Sequence, residues 1–181
     1  TRPSASTASP SGSGTTSATK SVGLDGYCPV CIIEMKQWVK GKPEYQVTYD
    51  GHVYHFPGEE QRQTFLKNPA KYVPAMGGNC IVCAVNMKQK VPGSVMHTAL
   101  YRGRLYLFPG ADQKEMFRKN PAKYASADVA LGGNCSVCRV EMNQEVKGDP
   151  NISAFYKDKL YLFPGDKQRE MFLANPAKYA E

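Results

Sequence analysis

The sequence predicts an α+β fold made of three small tandem modules and an extended N-terminal arm. A pattern typical of strand, turn and strand, residues 49–58, recurs at residues 101–110 and 156–165. Each copy follows a Cys-x-x-Cys pair and runs on to Asn-Pro-Ala-Lys-Tyr. A repeat with a period of about fifty residues is the signature of tandem modules.

The repeats divide the 181 residues into four parts. We place the arm at 1–22 and the modules at 23–74, 75–126 and 127–181. Units this small bury too little surface to be stable alone, so we expect the modules to pack on one another. The short glycine-containing linkers between them agree with that expectation.

Each module is predicted to begin with a Cys-x-x-Cys turn and to continue into a β-hairpin. The stretch after the first cysteine pair, Ile32 to Val39, is interpreted as strand or turn. The hairpin strands lie on either side of Asp50-Gly51, whose positive φ angles suit a type I′ turn. The same turn is expected in the other two modules.

Two short helices are predicted to complete each module. The segment Glu59 to Lys67 begins with acidic residues, which favour a helix N-terminus, and Phe65 and Leu66 are expected to point inward. Asn68-Pro69 then predicts a second helical turn that ends at Tyr72. The repeated aromatic residues are interpreted as three small cores: Tyr54, Phe56, Phe65 and Tyr72; Tyr106, Phe108, Phe117 and Tyr124; Tyr161, Phe163, Phe172 and Tyr179.

Composition and charge argue against several classes of protein. The net charge is +7, but basic residues are interleaved with acidic ones, which disfavours nucleic-acid binding. No apolar run is long enough for a membrane span. No glycine loop is followed by Lys-Ser or Lys-Thr, as a phosphate-binding loop would be.

The arm has the composition of a flexible or O-glycosylated segment, with twelve Ser or Thr in residues 1–22. It has too little apolar area to fold alone, so we expect it to run extended along a groove or sheet edge of another copy of the chain. The alternative is that it lies along the modules of its own chain. The candidate O-glycosylation residues are Ser4, Ser6, Thr7, Ser9, Ser11, Ser13, Thr15, Thr16, Ser17 and Thr19. Asn134 and Asn151 match the N-glycosylation pattern, and paired cysteines favour an extracellular or cell-surface location.

Together, the Cys-x-x-Cys pair, the aromatic hairpin, the Phe-led corner and Asn-Pro-x-x-Tyr resemble a YHS domain, a relative of the TRASH metal-binding modules. In that family the corner reads Phe-Cys-Ser-x-x-Cys, and its cysteines help to bind a transition metal. Here the two corner cysteines are replaced in all three modules, by Pro57, Pro109 and Pro164 and by Gln61, Gln113 and Gln168. The resemblance therefore implies a metal-site fold without its usual ligands, and we expect no metal and no cofactor.

The remaining cysteines, Cys28, Cys31, Cys80, Cys83, Cys135 and Cys138, allow four interpretations. The first is a disulfide within each pair that clamps the start of the module. The second is half of a metal site that another chain completes. A thioredoxin-like redox pair and buried free thiols are the other two.

The histidines do not follow the repeats. His52 and His55 lie in the first hairpin, and Arg104, Leu107, Lys159 and Leu162 stand at their places in the other two. His97 has no histidine counterpart. No catalytic set is apparent, so the sequence predicts a protein that is not an enzyme.

The sequence thus favours an exported structural protein that assembles with itself into a fibre or other polymer through its arm and module contacts, and that carries glycans. One alternative is a copper- or zinc-handling protein that uses the cysteine pairs. Another is a surface adhesion or ligand-binding module.

Overall fold

The computed structural model describes residues 20–181, and its fold is α+β, as the sequence predicts. After strand β1 (Ser21–Val22), the first unit contains β2 (Lys42–Tyr49), β3 (His52–Phe56), α1 (Glu59–Lys67) and α2 (Pro69–Tyr72). The second contains α3 (Ile81–Met87), β4 (Ser94–Tyr101), β5 (Arg104–Phe108), α4 (Ala111–Lys119) and α5 (Pro121–Ala125). The third contains α6 (Ser136–Met142), β6 (Asp149–Tyr156), β7 (Lys159–Phe163), α7 (Asp166–Ala174) and α8 (Pro176–Tyr179).

Each helical segment includes the second cysteine of its pair and ends at Met35, Met87 or Met142, so the prediction of strand or turn is wrong for the residues up to these positions. Cys80 caps α3 and Cys135 caps α6, while Cys31–Met35 forms a single π-helical turn. Each ends at a residue with left-handed backbone angles, after one turn in the first unit and about two turns in the other two. Segments this short carry too little periodicity to be recognised from their side chains alone.

The three hairpins share one register and one turn. In the first, Val47 pairs with Tyr54 and Tyr49 with His52, and Asp50 and Gly51 both have positive φ, as a type I′ turn requires. Arg102-Gly103 and Lys157-Asp158 make the same turn. Each first strand also has a bulge near its start.

A glycine precedes each bulge because the two strands approach too closely there for a side chain. A Cβ added to Gly41 would lie 2.3 Å from the carbonyl carbon of His55. At Gly93 and Gly148 the added Cβ would lie 2.4 Å from the nearest atom of the partner strand. The repeated glycine is therefore a condition for closing the hairpin over the core.

Each unit encloses the aromatic core that the repeats predict. Phe65 contacts Tyr54, Phe56 and Tyr72, with ring centroids 5.1–6.2 Å apart, and Phe65 is fully buried. The counterparts in the other two units are at most 7% exposed. Leu66, in contrast, was expected to point inward but is 43% exposed, because α1 buries only Phe65.

The three units pack on one another. Leu105 and Leu107 of β5 join the apolar cluster of the first unit. Ala70 of α2 packs with Phe155 and Leu160 of the third unit. The first unit therefore contacts both the second and the third, and apolar residues lie at each contact.

The arm is described only at its end. Ser21 and Val22 pair in parallel with His52 and Val53 of the same chain, so these two residues do not lie on another copy. This two-residue strand lies at the edge of the sheet, beside β3, and Val22 is 49% exposed there. Residues 1–19, with the ten candidate O-glycosylation sites, lie outside the described residues. Among residues 20–181, no helix has the length and apolarity needed to cross a membrane.

Candidate functional site

The cysteine pairs lie at the start of the first helical segment in each unit. The Sγ of Cys80 accepts a hydrogen bond from the backbone N–H of Cys83 at 3.3 Å. The corresponding distances are 3.3 Å for Cys28 and Cys31 and 3.2 Å for Cys135 and Cys138. The first sulfur of each pair thus satisfies one of the N–H groups that a helix start leaves without a partner.

All six sulfurs lie inside the cores, and none of the cysteines is more than 1% exposed. Burial, followed by the hydrogen bond to the paired cysteine, raises the pKa of Cys28 to about 12. The same two causes raise the pKa of Cys83 and Cys138 to about 11. Neutral thiols are therefore the stable form near pH 7, whereas nucleophilic attack and metal binding both require the thiolate.

The structure differs from the expectation of a disulfide in each pair, since all six cysteines are free thiols. The fourth interpretation, buried free thiols, describes this arrangement. A thioredoxin-like pair belongs at a helix N-terminus that follows a strand of a βαβ unit. The pairs do lie at helix starts, but each is followed by an antiparallel hairpin. The raised pKa values of Cys28, Cys83 and Cys138 also oppose a redox pair, because reactive pairs of that type contain a cysteine with a lowered pKa.

A polar group on the cysteine-bearing segment connects it to the last helix of the same unit. Glu34 accepts hydrogen bonds from Lys71 at 2.7 Å and from the hydroxyl of Tyr72 at 3.0 Å. Glu141 bonds Lys178 and Tyr179 in the same way. In the second unit Asn86 reaches Tyr124 at 3.4 Å. The cysteine segment is thus hydrogen-bonded to the tyrosine of the last helix in all three units, by a glutamate in two of them and by Asn86 in the second.

The residues present do not fit the transition-metal site that the resemblance implies. The corner positions carry Pro and Gln, with Gln61, Gln113 and Gln168 in the first turns of α1, α4 and α7. Each unit keeps two buried thiols, and a soft-metal site needs about four donors. Residues 20–181 contain no group of three His, Cys, Asp or Glu side chains placed to share a metal ion.

In each unit, the residue at the hairpin position of His52 contacts a chain segment that precedes or follows the repeated elements of that unit. His52 Nδ1 lies 2.7 Å from Ser21 Oγ. Arg104, at the same position, binds Asp128, and Lys159 binds Glu181 at 3.0 Å. In the sequence, Arg104 and Lys159 are recognisable only as residues that replace His52. Their acidic partners could not be predicted, because they stand at different distances after the last helix of their units and so are not part of the repeat.

The two N-glycosylation motifs lie in different settings. Asn134 is half-buried and precedes α6, and Asn151 is exposed on β6. The hydroxyl-bearing residues of both motifs, Ser136 and Ser153, are buried, at 1% and 3% exposure. In the folded chain these hydroxyls are therefore hidden.

No family model and no solved structure matches the chain. The chain is 23% identical to a protein named adenylate kinase 9 from Mus musculus, over 54% of this chain and 7% of the mouse protein. The chain thus spans a small fraction of that relative's length.

This match contradicts the expectation that the chain is not an enzyme, because the relative is named as a nucleotide kinase. That expectation depended on the absence of recognisable catalytic motifs. Motifs describe only some kinds of site, so their absence was too weak a basis for the conclusion.

Proposed function

We propose that the chain is an exported structural repeat protein that joins copies of itself into a fibre or other polymer through its N-terminal arm. The position of β1 carries the proposal. Ser21 and Val22 add in parallel to the outer edge of β3. The described chain therefore begins at a fixed point on the first unit.

The same edge position serves as a junction elsewhere in the chain. Val129, which follows the second unit, forms a parallel bridge with Leu160 of β7. The backbone N–H of Leu160 donates to the carbonyl of Asp128 at 2.8 Å. Leu160 and Val53 occupy equivalent positions in their hairpins. The end of the arm therefore pairs with the first hairpin at the position where the chain that leaves the second unit pairs with the third hairpin. This equivalence supports an arm that acts as a connector.

Contacts between the first and third units support the second part of the proposal, assembly through module surfaces. The hydroxyl of Tyr49 accepts a hydrogen bond from the backbone N–H of Phe155 at 3.4 Å. The Asn68 side chain donates to the carbonyl of Asn151. These units are not consecutive in sequence, so their association does not depend on a direct linker. Surfaces of this kind can also join units of different chains.

An arm of nineteen residues reaches roughly 60 Å when extended, at ~3.3 Å per residue. That distance is sufficient to cross a neighbouring unit. Backbone hydrogen bonds would supply the attachment, because Ser, Thr, Ala and Gly have little side-chain area to bury. The exposed hydroxyls would remain available for O-linked glycans.

The test is deletion of residues 1–19, which keeps Ser21 and Val22 and therefore β1. We expect an unchanged circular dichroism spectrum and melting temperature, together with loss of polymers in electron microscopy and sedimentation velocity. A matched control replaces residues 1–19 with a Gly-Ser segment of equal length. If the protein without residues 1–19 forms the same polymers as the full chain, the arm has no part in assembly and the proposal is wrong. Polymers of the Gly-Ser protein alone would show that the attachment depends on the backbone of the arm and not on its side chains.

The mouse relative supports a second candidate, phosphoryl transfer between adenine nucleotides. The match itself is the supporting observation. A coupled assay with ATP and AMP in the presence of Mg²⁺ tests it directly. Turnover that persists through a further purification step and disappears when the fold is melted would support this candidate, and no turnover above background would reject it.

A further inference from the structure

A cavity of about 300 Å³ lies where the three units meet. Ala70 and Lys71 of α2 line one side, and Ala122 and Ala125 of α5 line another. The turn around Arg102 and the strands β6 and β7 complete the wall. Every unit contributes, so the cavity is a product of how the units pack. Its volume is at the lower end of the range for small-molecule sites.

The deep wall of the cavity is apolar. Ala70 and Leu160 are each 4% exposed and Leu162 is 7% exposed. Val129 continues this wall. Such a surface suits the hydrocarbon body of a ligand, since it offers contacts without competing for hydrogen bonds.

One buried polar group on this wall has no partner. Ser153 lines the cavity and is 3% exposed, and its Oγ makes no hydrogen bond within residues 20–181. A buried hydroxyl without a partner costs free energy, so such groups are uncommon unless something else binds them. Ser153 therefore marks a point where a ligand's polar atom would be favoured.

The charged side chains that line the cavity are cationic. Lys71 and Arg104 are already paired, with Glu34 and Asp128. Arg102 lies 5.2 Å from the Tyr101 ring centroid and has no ion-pair partner among residues 20–181. An anionic group bound here would meet one uncompensated positive charge and two paired ones.

We propose that this cavity binds a compact, mainly apolar carboxylate, with its hydrocarbon body against Leu160 and Leu162. Its carboxylate would accept a hydrogen bond from Ser153 and interact with Arg102. The inference does not depend on the polymer or on any nucleotide activity, because it requires neither the arm nor a nucleotide.

The experiment titrates the folded chain with benzoate, benzamide and benzylamine, which have similar size and different charge. Binding is followed by calorimetry and by amide shifts in ¹H–¹⁵N spectra. We expect benzoate to bind most tightly and benzylamine most weakly, with the largest shifts at Ser153 and Leu160. No cavity shifts with any probe at millimolar concentration, or tightest binding of benzylamine, would overturn the proposal.

Two pairs of variants localise the effect. Ser153→Ala should weaken benzoate binding about tenfold, the loss typical of one hydrogen bond. Ser136→Ala removes another buried unpartnered hydroxyl away from the cavity and should leave the affinity unchanged. Neither change should lower the melting temperature, because each removes an unsatisfied group.

The second pair of variants tests whether a bulky side chain at the cavity blocks entry of the ligand. Ala122 is exposed at the cavity, and Ala177 is its exposed counterpart in the third unit, away from the cavity. We expect Ala122→Phe to abolish benzoate binding and Ala177→Phe to have no effect. Equal affinity for Ala122→Phe and the unaltered protein would refute the location, whatever the result for Ser153.

Discussion

Arg104 of the second unit and Asp128, which begins the third, form a bidentate ion pair, with N–O distances of 2.9 and 2.7 Å. The Asp128 side chain is fully buried and that of Arg104 is 17% exposed. The pair fixes the segment that leads from one unit into the next. Two charges buried together tolerate joint replacement better than the loss of one partner.

Asp128→Ala should therefore destabilise the chain by about 3–5 kcal/mol, because it leaves the Arg104 charge buried without a partner. The measurement is the free energy of unfolding in urea. Joint replacement by Arg104→Met and Asp128→Leu should recover most of the loss. As a control, Glu115→Ala breaks the exposed pair with Arg118 and should cost at most about 1 kcal/mol. Equal effects of Asp128→Ala and Glu115→Ala would contradict the prediction.

Phe65→Ala should cost about 3–5 kcal/mol, the usual range for a buried aromatic residue. The matched control is its neighbour, Leu66→Ala, at a position that is 43% exposed. That change should stay within about 0.5 kcal/mol. Chemical denaturation of both variants is the measurement, and comparable losses would mean that the orientation of α1 is wrong.

The six cysteines should remain unreactive in the folded chain, because all six are buried and burial raises the pKa of Cys28, Cys83 and Cys138. We expect a thiol-specific disulfide reagent at pH 8 to modify none of them before unfolding and all six afterwards. Without added reductant, zero thiols after unfolding would instead reveal the disulfides that the sequence suggested. Rapid modification of the folded protein would contradict the burial of the pairs.

The purified chain should contain no stoichiometric copper, zinc or iron, because Pro and Gln occupy the corner positions. Elemental analysis after dialysis measures this. About one tightly held metal per module would restore the metal-handling alternative. A matched variant, Pro57→Cys with Gln61→Cys, restores the two missing corner cysteines. It tests whether their absence is the reason that the module binds no metal.

The contact of Glu34 with Lys71 should make stability depend on pH. The hydrogen bond from Lys71 lowers the pKa of Glu34 below its ordinary value of 4.5. A carboxylate with a lowered pKa in the folded state stabilises it fully above the unfolded value, and this contribution disappears as the pH falls through the folded value.

Glu34→Gln should thus cost about 0.2–1 kcal/mol at pH 7, since the pair is partly exposed. The difference from the unaltered chain should vanish as the pH falls below about 4.5. Urea unfolding at several pH values measures it. Glu44→Gln removes an exposed carboxylate that has no ion pair among residues 20–181 and is the control. A constant difference between Glu34→Gln and the unaltered chain down to pH 3 would show that the interaction does not depend on the charge of Glu34.

Local features of the fold could be predicted from the sequence. The turn at Asp50-Gly51 and the helix bounds Glu59–Lys67 and Pro69–Tyr72 agree with the structure, because turn angles and helix starts depend on neighbouring residues. Threefold recurrence also identified the aromatic cores. The helix after each cysteine pair was missed, since its capping group is a sulfur, outside the usual set of capping side chains.

The sequence by itself determined the repeat, the hairpins, the aromatic cores and the loss of the corner cysteines, because each of these recurs at a fixed spacing. Only the tertiary structure decided how the units contact one another. The pairing of Arg104 with Asp128, the unpartnered hydroxyl of Ser153 and the cavity between the units all join residues that are distant in sequence and differ from copy to copy. Repetition carries no information about such contacts, since packing three similar units into one body gives each copy different neighbours.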